Sequence, residues 1–270
     1  MALRARRLAE TVLGIARRES TVATALRLGA ADEGSLDPAS IEGADLVVLA
    51  TPLSAIVPTL SRYGHLLSPG ALVTDLGSVK GPLCVPGAVQ LPEGVEFIGG
   101  HPLCGSEESG PSAAREDLYE GAVWVLTPGL GSPPEAVSRL AQLAEAVGAR
   151  PLLLDAVTHD RAVAASSHLP HLTACALAAA VGAAAATTPE VAALCAGGFR
   201  DGTRVSEGSP EVWRDILLAN RDAVLEQLYG LSGQLAAWTE LLQASDGDAL
   251  AQALAGAGEA RRALLSHQQG

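Results

Sequence analysis

The sequence predicts an α/β protein: a doubly wound parallel-sheet domain, residues 1–154, followed by an all-helical domain, residues 155–270. Three observations carry this expectation. In the first half, short apolar runs alternate with stretches of helical periodicity, which implies parallel strands joined by crossover helices. After Asp155 the helical pattern runs on almost without interruption. The 270 residues are 48% hydrophobic and 18% charged, a globular profile with enough chain for two modest domains.

In chain order, Thr11–Ala16 predicts a strand and Ser20–Leu28 a helix that stops at Gly29. Asp45–Ala50 is a strand followed by Thr51-Pro52, and Leu53–Leu67 has helical spacing. Ala71–Asp75 is a strand running into Gly77-Ser78, and Val95–Gly99 and Val123–Thr127 are further strands. Pro134–Val147 is amphipathic at helical period, and Pro151–Leu154 closes the sheet. In the second half, Thr158–Ala186 predicts one long helix with Pro170 as a kink or break. Pro189–Leu194 is a short helix, Gly197-Gly198 a turn, Pro210–Gln243 a helix and Asp248–Leu265 the last one. Such broad apolar helical faces predict a homodimer.

A doubly wound sheet that binds a dinucleotide, the Rossmann-like arrangement, opens with a strand, a G-x-G-x-x-G turn and a helix whose N-terminus stabilises the pyrophosphate. This sequence contains no G-x-G-x-x-G. Met1–Arg7 already has the character of the helix that follows such a turn, and Thr11–Ala16 then fits as the second strand. Either the start is misassigned and a further segment precedes Met1, or the chain is truncated. The former is the expectation, because losing a central strand leaves neighbouring ladders unpaired.

Charge and composition exclude several classes of function. A net charge of −12 and a pI near 4.9 do not build a groove that tracks phosphates, so no nucleic-acid partner is expected. Cys84, Cys104, Cys175 and Cys195 are far apart with no CxxC pair, so buried free thiols are expected, and no metal. The start is Arg-rich but has no apolar stretch of a signal peptide, and Leu172–Ala186 is short for a membrane span. A buried helix, no membrane partner and a cytoplasmic protein are the expectation. Lys80 is the single lysine among 18 basic residues. It could reach a cofactor, pair with an acid or lie on the surface.

Ligands of open α/β sheets bind beyond the carboxyl ends of the strands. Thr51, Pro52, Gly77 and Ser78 occupy such ends and are candidate cofactor contacts. Where NAD enzymes place an acid for the ribose 2′-hydroxyl, this chain has Ala16, Arg17 and Arg18. Arginines there suit a 2′-phosphate, hence NADP with NAD as the alternative. Two solvated arginines at a helix start give the same spacing, and Glu19 weighs against the phosphate. Ser78 and His101 follow two different strands at this edge, which points both toward the cofactor crevice.

The segments TDLGSVK (Thr74–Lys80), GGHPLCGSEESG (Gly99–Gly110), LYEGAVWVLTP (Leu118–Pro128), SHLPH (Ser167–His171) and GGFRDGTRV (Gly197–Val205) follow one another in order. With Pro210 and Trp213-Arg214-Asp215-Ile216, this series resembles the prephenate/arogenate dehydrogenase family. The likeness runs from the first residues to the last helices. Cys104 departs from it, standing where the family more often has a small residue such as Ala. The resemblance implies oxidative decarboxylation of a cyclohexadienol, prephenate or arogenate, in tyrosine biosynthesis. Hydride passes to NAD(P), and loss of CO2 makes the ring aromatic.

The resemblance further implies that His101 is the base that takes the 4-hydroxyl proton and that Ser78 orients that hydroxyl or the imidazole. Arg204 becomes the clamp for a substrate carboxylate, although Arg200 and Asp201 nearby also fit a surface ion pair. Ser106, Ser167, His168, His171 and Trp213 become pocket residues. His168 and His171 share a helix face, which also fits a metal pair, but no third ligand stands at useful spacing. Two rival readings remain. One is a β-hydroxyacid or imine dehydrogenase, whose lysine belongs on the helical side, where this chain has none. The other is a non-catalytic dimeric module, favoured by the absent glycine turn.

Overall fold

The computed structural model describes residues 1–84, 91–105 and 110–266. Its contacts form two compact units, Met1–Val224 and Leu225–Gly270. In the first unit the expected strand–helix alternation builds a parallel-dominated sheet. The five-stranded sheet runs β3 (Leu46–Leu49), β4 (Leu72–Asp75), β5 (Glu96–Pro102), β6 (Val123–Pro128) and β7 (Arg150–Leu153) in spatial order. All neighbours are parallel except β5 and β6. Between that pair the described connection carries only a 3-10 turn, Pro111–Ala113. Without a crossover helix the chain returns beside β5 in the opposite sense.

The strands β1 (Leu13–Ile15) and β2 (Glu33–Ser35) form a separate parallel pair joined across α2 (Glu19–Arg27). The short β2 escapes sequence prediction because Glu33-Gly34-Ser35 has neither apolar alternation nor β-branched residues. Gly34 is there because a Cβ would stand 2.2 Å from Val22 of α2. No ladder joins β1 to β3 among the described residues, so each of these strands has one edge without a strand partner. The first residues form a helix, α1 (Ala2–Ala5), as expected, and Ala2 packs into the core.

Side chains alternate across the strands and fill two cores. On one face Leu72, Ile98, Trp124 and Leu126 pack with α5 (Pro134–Ala146) through Ala136, Leu140 and Ala144. On the other, Val47, Leu49 and Val73 pack with α3 (Leu53–Tyr63) through Ile56 and Leu60. The carboxyl ends of β3, β4 and β5 therefore share one edge, and the turns after them hold the candidate residues.

After β7, α6 (Ala156–Val163) passes through a π-helical turn, Ala164–His168, into α7 (Leu169–Thr187). Pro170 neither ends nor splits this run. It lacks the N–H that an α-helical ladder needs, and the preceding π turn absorbs the mismatch. A four-residue helix, α4 (Gly81–Cys84), follows the turn after β4 and packs on α6. Beyond α7 come α8 (Glu190–Leu194), α9 (Gly197–Thr203), a 3-10 turn Arg204–Glu207, α10 (Pro210–Ala219) and α11 (Arg221–Ala244). The final helix is α12 (Gly247–Ser266).

Several expectations need correction. Gly197-Gly198 opens a helix and is not a free turn. The predicted helix 210–243 is broken at Asn220, whose buried amide bonds away from the helix axis. Cys104 is exposed in the loop after β5, and the other three free thiols are half-buried, so none is sealed. The α7 helix is not a buried core helix: His171 and Ala174 are its only buried residues among those described. The run Ala156–Thr187 is long and apolar enough to cross a membrane by length and composition, but Asp160 within it accepts hydrogen bonds from the backbone of Lys80 and Gly81, in the segment that follows β4.

Candidate active site

The turn that leaves β4 holds a buried ion pair. Lys80 is fully buried, and its ammonium pairs with the Asp75 carboxylate and donates to the Gly100 carbonyl at 2.6 Å. Asp75 also accepts from the backbone N–H of Gly77 at 2.8 Å and of Gly100 at 3.1 Å. Burial pulls the Lys80 ammonium below its usual value, and the adjacent carboxylate opposes that pull. Lys80 thus pairs with an acid, the second of its three sequence readings. The pair locks the turn that presents Gly77 and Ser78 to the strand that presents His101. Glycine is needed at position 100, because a Cβ there would lie 2.6 Å from the Asp75 carbonyl oxygen and 2.9 Å from Trp124 Nε1.

A second carboxylate fixes the same turn from the helical side. Asp160, buried on α6, accepts from the N–H of Lys80 at 2.8 Å through Oδ1 and of Gly81 at 2.7 Å through Oδ2. Its Oδ1 also lies 2.7 Å from His159 Nδ1. His159 is fully buried, and its Nε2 stands 2.9 Å from His101 Nδ1. The two imidazoles meet edge to face, with centroids 5.1 Å apart. His101, half-buried at the end of β5, is held at a pKa of about 3 by burial first and then by the neighbouring His159, Lys80 and His168. It is neutral at working pH.

The cluster continues into the helical half. Asn220, at the break between α10 and α11, donates to the Asp160 carbonyl at 2.8 Å and lies 3.2 Å from His168 Nδ1. Burial holds His168 at about 4. His168 meets Trp213 edge-on at 6.0 Å, and His171 stacks on Trp213 with centroids 3.5 Å apart and planes 8° from parallel. A Cβ on Gly208 would stand 2.4 Å from Trp213 Nε1, so the segment after Arg204 runs against the indole. Arg204 begins the 3-10 turn that packs on α7 and α9.

The structure therefore connects His101, His168, His171, Trp213 and the Arg204 segment through a continuous chain of contacts. Ser78 is half-buried in the turn after β4, at the same sheet edge as His101, and its hydroxyl bonds to none of the described residues. Ser167 lies exposed on the π turn beside His168. Thr51 and Pro52 are exposed after β3, next to the β4 turn in the sheet, and Arg17 and Arg18 are exposed after β1. Ser106 falls outside the described residues.

Sequence reasoning missed Asp75, His159, Asp160 and Asn220. A signal existed for the first three: an acid closing the apolar run Leu72–Asp75, and a His-Asp step inside an apolar helical pattern.

Two predictions follow from the buried charges. Lys80→Met strands the Asp75 carboxylate and costs about 3–5 kcal/mol of stability. Adding Asp75→Asn returns part of that loss, as urea unfolding of the single and double variants measures. Unfolded histidines protonate near 6.5, whereas His101 and His168 stay neutral in the folded chain down to about 3 and about 4. The unfolded state then binds more protons, so stability falls as pH drops from 6.5 toward 4. Urea unfolding at pH 7 and pH 5 measures this, and His168→Gln makes the fall shallower.

Comparison with known proteins agrees with this geometry. Residues 1–153 match the prephenate dehydrogenase nucleotide-binding domain and residues 155–256 the prephenate dehydrogenase dimerization domain. A prephenate dehydrogenase of Bacillus subtilis is 35% identical over 218 residues, covering 80% of this chain. The chain spans only 59% of that relative's length. The crystal structure of prephenate dehydrogenase from Aquifex aeolicus in complex with hydroxyphenyl propionate and NAD+ superposes with a TM-score of 0.89 at 30% identity, covering 97% of this chain and 92% of that one. Synechocystis arogenate dehydrogenase gives a TM-score of 0.82 at 33% identity over 96% of this chain and 93% of that one. With a dehydrogenase nucleotide-binding half, its matching helical half and a neutral histidine at their meeting point, the chain belongs to the prephenate dehydrogenase family.

Proposed function

We propose that this chain oxidatively decarboxylates prephenate or arogenate in tyrosine biosynthesis, using NAD(P) as the hydride acceptor. The observation that carries the reading is the placement of a neutral His101 at the carboxyl edge of the sheet, joined by contacts to the His168–His171–Trp213 cluster of the helical half.

The residues present fit a dinucleotide at its two ends. Gly77 and Ser78 follow β4 beside His101, and Thr51 and Pro52 follow the adjacent β3, where a nicotinamide and its ribose would lie. Exposed Arg17 and Arg18 after β1 suit the other ribose, and guanidinium there favours NADP over NAD. The glycine turn that would hold the pyrophosphate is not among the 270 residues. When bound, the nicotinamide supplies the acceptor for the C4 hydride.

The rest of the chemistry belongs to the chain. Neutral His101 accepts the proton of the substrate 4-hydroxyl as that carbon becomes a carbonyl. The Ser78 hydroxyl, with no protein partner among the described residues, is available to orient the same group. Arg204 offers a planar two-point fork to a substrate carboxylate. Aromatisation on loss of CO2 supplies the drive, so the site has to orient the ring and take up one proton. Arogenate differs from prephenate at an amino versus a keto group on the side chain, away from His101.

His101→Asn lowers kcat by a factor of 100 or more, of the order that a general base supplies, with little change in substrate KM. Arg204→Gln mainly raises KM. Steady-state kinetics with prephenate and arogenate, each with NADP and NAD, separates these effects. An unchanged kcat or an unchanged KM removes the respective assignment.

The exposed apolar surface of α7, within the stretch that matches a dimerization domain, supports a homodimer in which a second copy covers that helix. Light scattering then gives twice the 27.4 kDa chain mass. A monomeric mass overturns the dimer.

A further inference from the structure

The hydrogen bonds around Asp160 have a direction, and it reaches His101. The Asp160 carboxylate accepts from two backbone N–H groups, those of Lys80 and Gly81. It can only accept, so the 2.7 Å contact with His159 Nδ1 places a proton on that nitrogen. An imidazole that carries its one proton on Nδ1 has a bare lone pair on Nε2. That lone pair faces His101 Nδ1 at 2.9 Å, and a hydrogen bond there requires the proton on His101 Nδ1. The remaining nitrogen of His101, Nε2, keeps its lone pair, and no described residue bonds to it.

We propose that His159 is a positioning residue that transmits the Asp160 carboxylate's preference to His101, fixing the His101 proton on Nδ1 and leaving Nε2 as the base. The inference rests on the proposed function for its kinetic consequence, but the tautomer itself does not depend on any substrate.

In the reaction, Nε2 forms a bond to the hydroxyl proton as the O–H bond breaks. His101 becomes an imidazolium, and its Nδ1–H remains donated to His159 Nε2. No proton needs to pass to Asp160, whose fixed negative charge stabilises the pair of rings from the far end. The same carboxylate anchors the N–H of Lys80, two residues beyond Ser78. One acid thus sets both the tautomer of the base and the position of the serine turn. Without the His159 acceptor, nothing among the described contacts would hold the proton on Nδ1, and a His101 protonated at Nε2 would present a donor where a base is needed.

Selective 15N-histidine labelling of the full chain, which has six histidines, reads each ring's tautomer from long-range 1H–15N correlations. The expected wild-type result is a protonated Nδ1 and an unprotonated Nε2 on both His101 and His159, with His101→Gln and His159→Gln assigning the signals. In His159→Phe, His101 shifts to the Nε2–H form or a mixture. With prephenate or arogenate, kcat falls at least tenfold while KM stays within twofold, a loss in the direction known for a mis-set histidine tautomer. His159→Gln, whose amide oxygen can still accept from Nδ1–H, keeps the wild-type tautomer and most of the kcat.

A wild-type His101 protonated on Nε2 overturns the proposal, as does His159→Phe with unchanged tautomer and kcat. If His159→Phe fails to fold, the wild-type spectrum and the Gln variant decide alone. A chain that turns over neither substrate defeats the proposed function while leaving the tautomer result standing.

Discussion

The site depends on the carboxylate of Asp160. It sits on the first helix after the sheet and binds the backbone of the turn that leaves β4, so it joins the two halves of the site through N–H donors that only a proline would remove. Its backbone carbonyl is held in turn by Asn220, which interrupts a helix to do so. A charged group at 8% exposure is costly unless its lone pairs are occupied. Here two N–H donors and one imidazole occupy them. The cost of burial therefore becomes a constraint: any shift of α6 against the sheet would leave this anion unpaired.

The Lys80–Asp75 pair does the equivalent work inside the sheet. A buried ion pair of this kind contributes little net stability compared with apolar packing, because desolvation offsets the attraction. Its value is geometric. Asp75 closes β4, and Gly100 precedes His101 on β5, so an ammonium that touches both sets the register of the two strand ends. The positive charge also adds to the pull of burial in keeping His101 neutral. A lysine in this role explains why it lies within the sheet domain and not on the helical side, where the β-hydroxyacid reading would need one.

The sequence disclosed the fold because its periodicities are unmixed. LVTD and VWVLTP are buried runs, LVVL buries Val47 and Leu49, all three have turn residues behind them, and α3 and α5 carry one apolar stripe each. What stayed hidden has specific causes. The strand Glu33–Ser35 has no hydrophobic pattern, since only its backbone pairs with β1. The break at Asn220 lies within unbroken helical spacing, and its cause is a carbonyl 60 residues away in sequence. His101, His168, His171 and Trp213 could be named from ordered motifs, but the residues that hold them could not. His159 and Asp160 act through contacts with residues 58 and 80 positions distant, which no local pattern encodes.

The π turn shows how these constraints meet in one element. Ala164–His168 carries His168 into the cluster and leaves Ser167 exposed beside it, and Pro170 follows two residues after the turn ends. A regular α-helix would need an N–H at position 170 and would place His168 at a different angle from α6. Widening the ladder by one residue accommodates the proline and rotates the remainder of the helix relative to His159 and Asp160. On this geometry the proline is what allows one continuous helix to present Asp160 to the sheet from its first half and His168 and His171 to Trp213 from its second. The apolar remainder of α7 packs on α8 and α9 and keeps a largely exposed surface, so the contacts with the sheet edge and the tryptophan are confined to the start of the run.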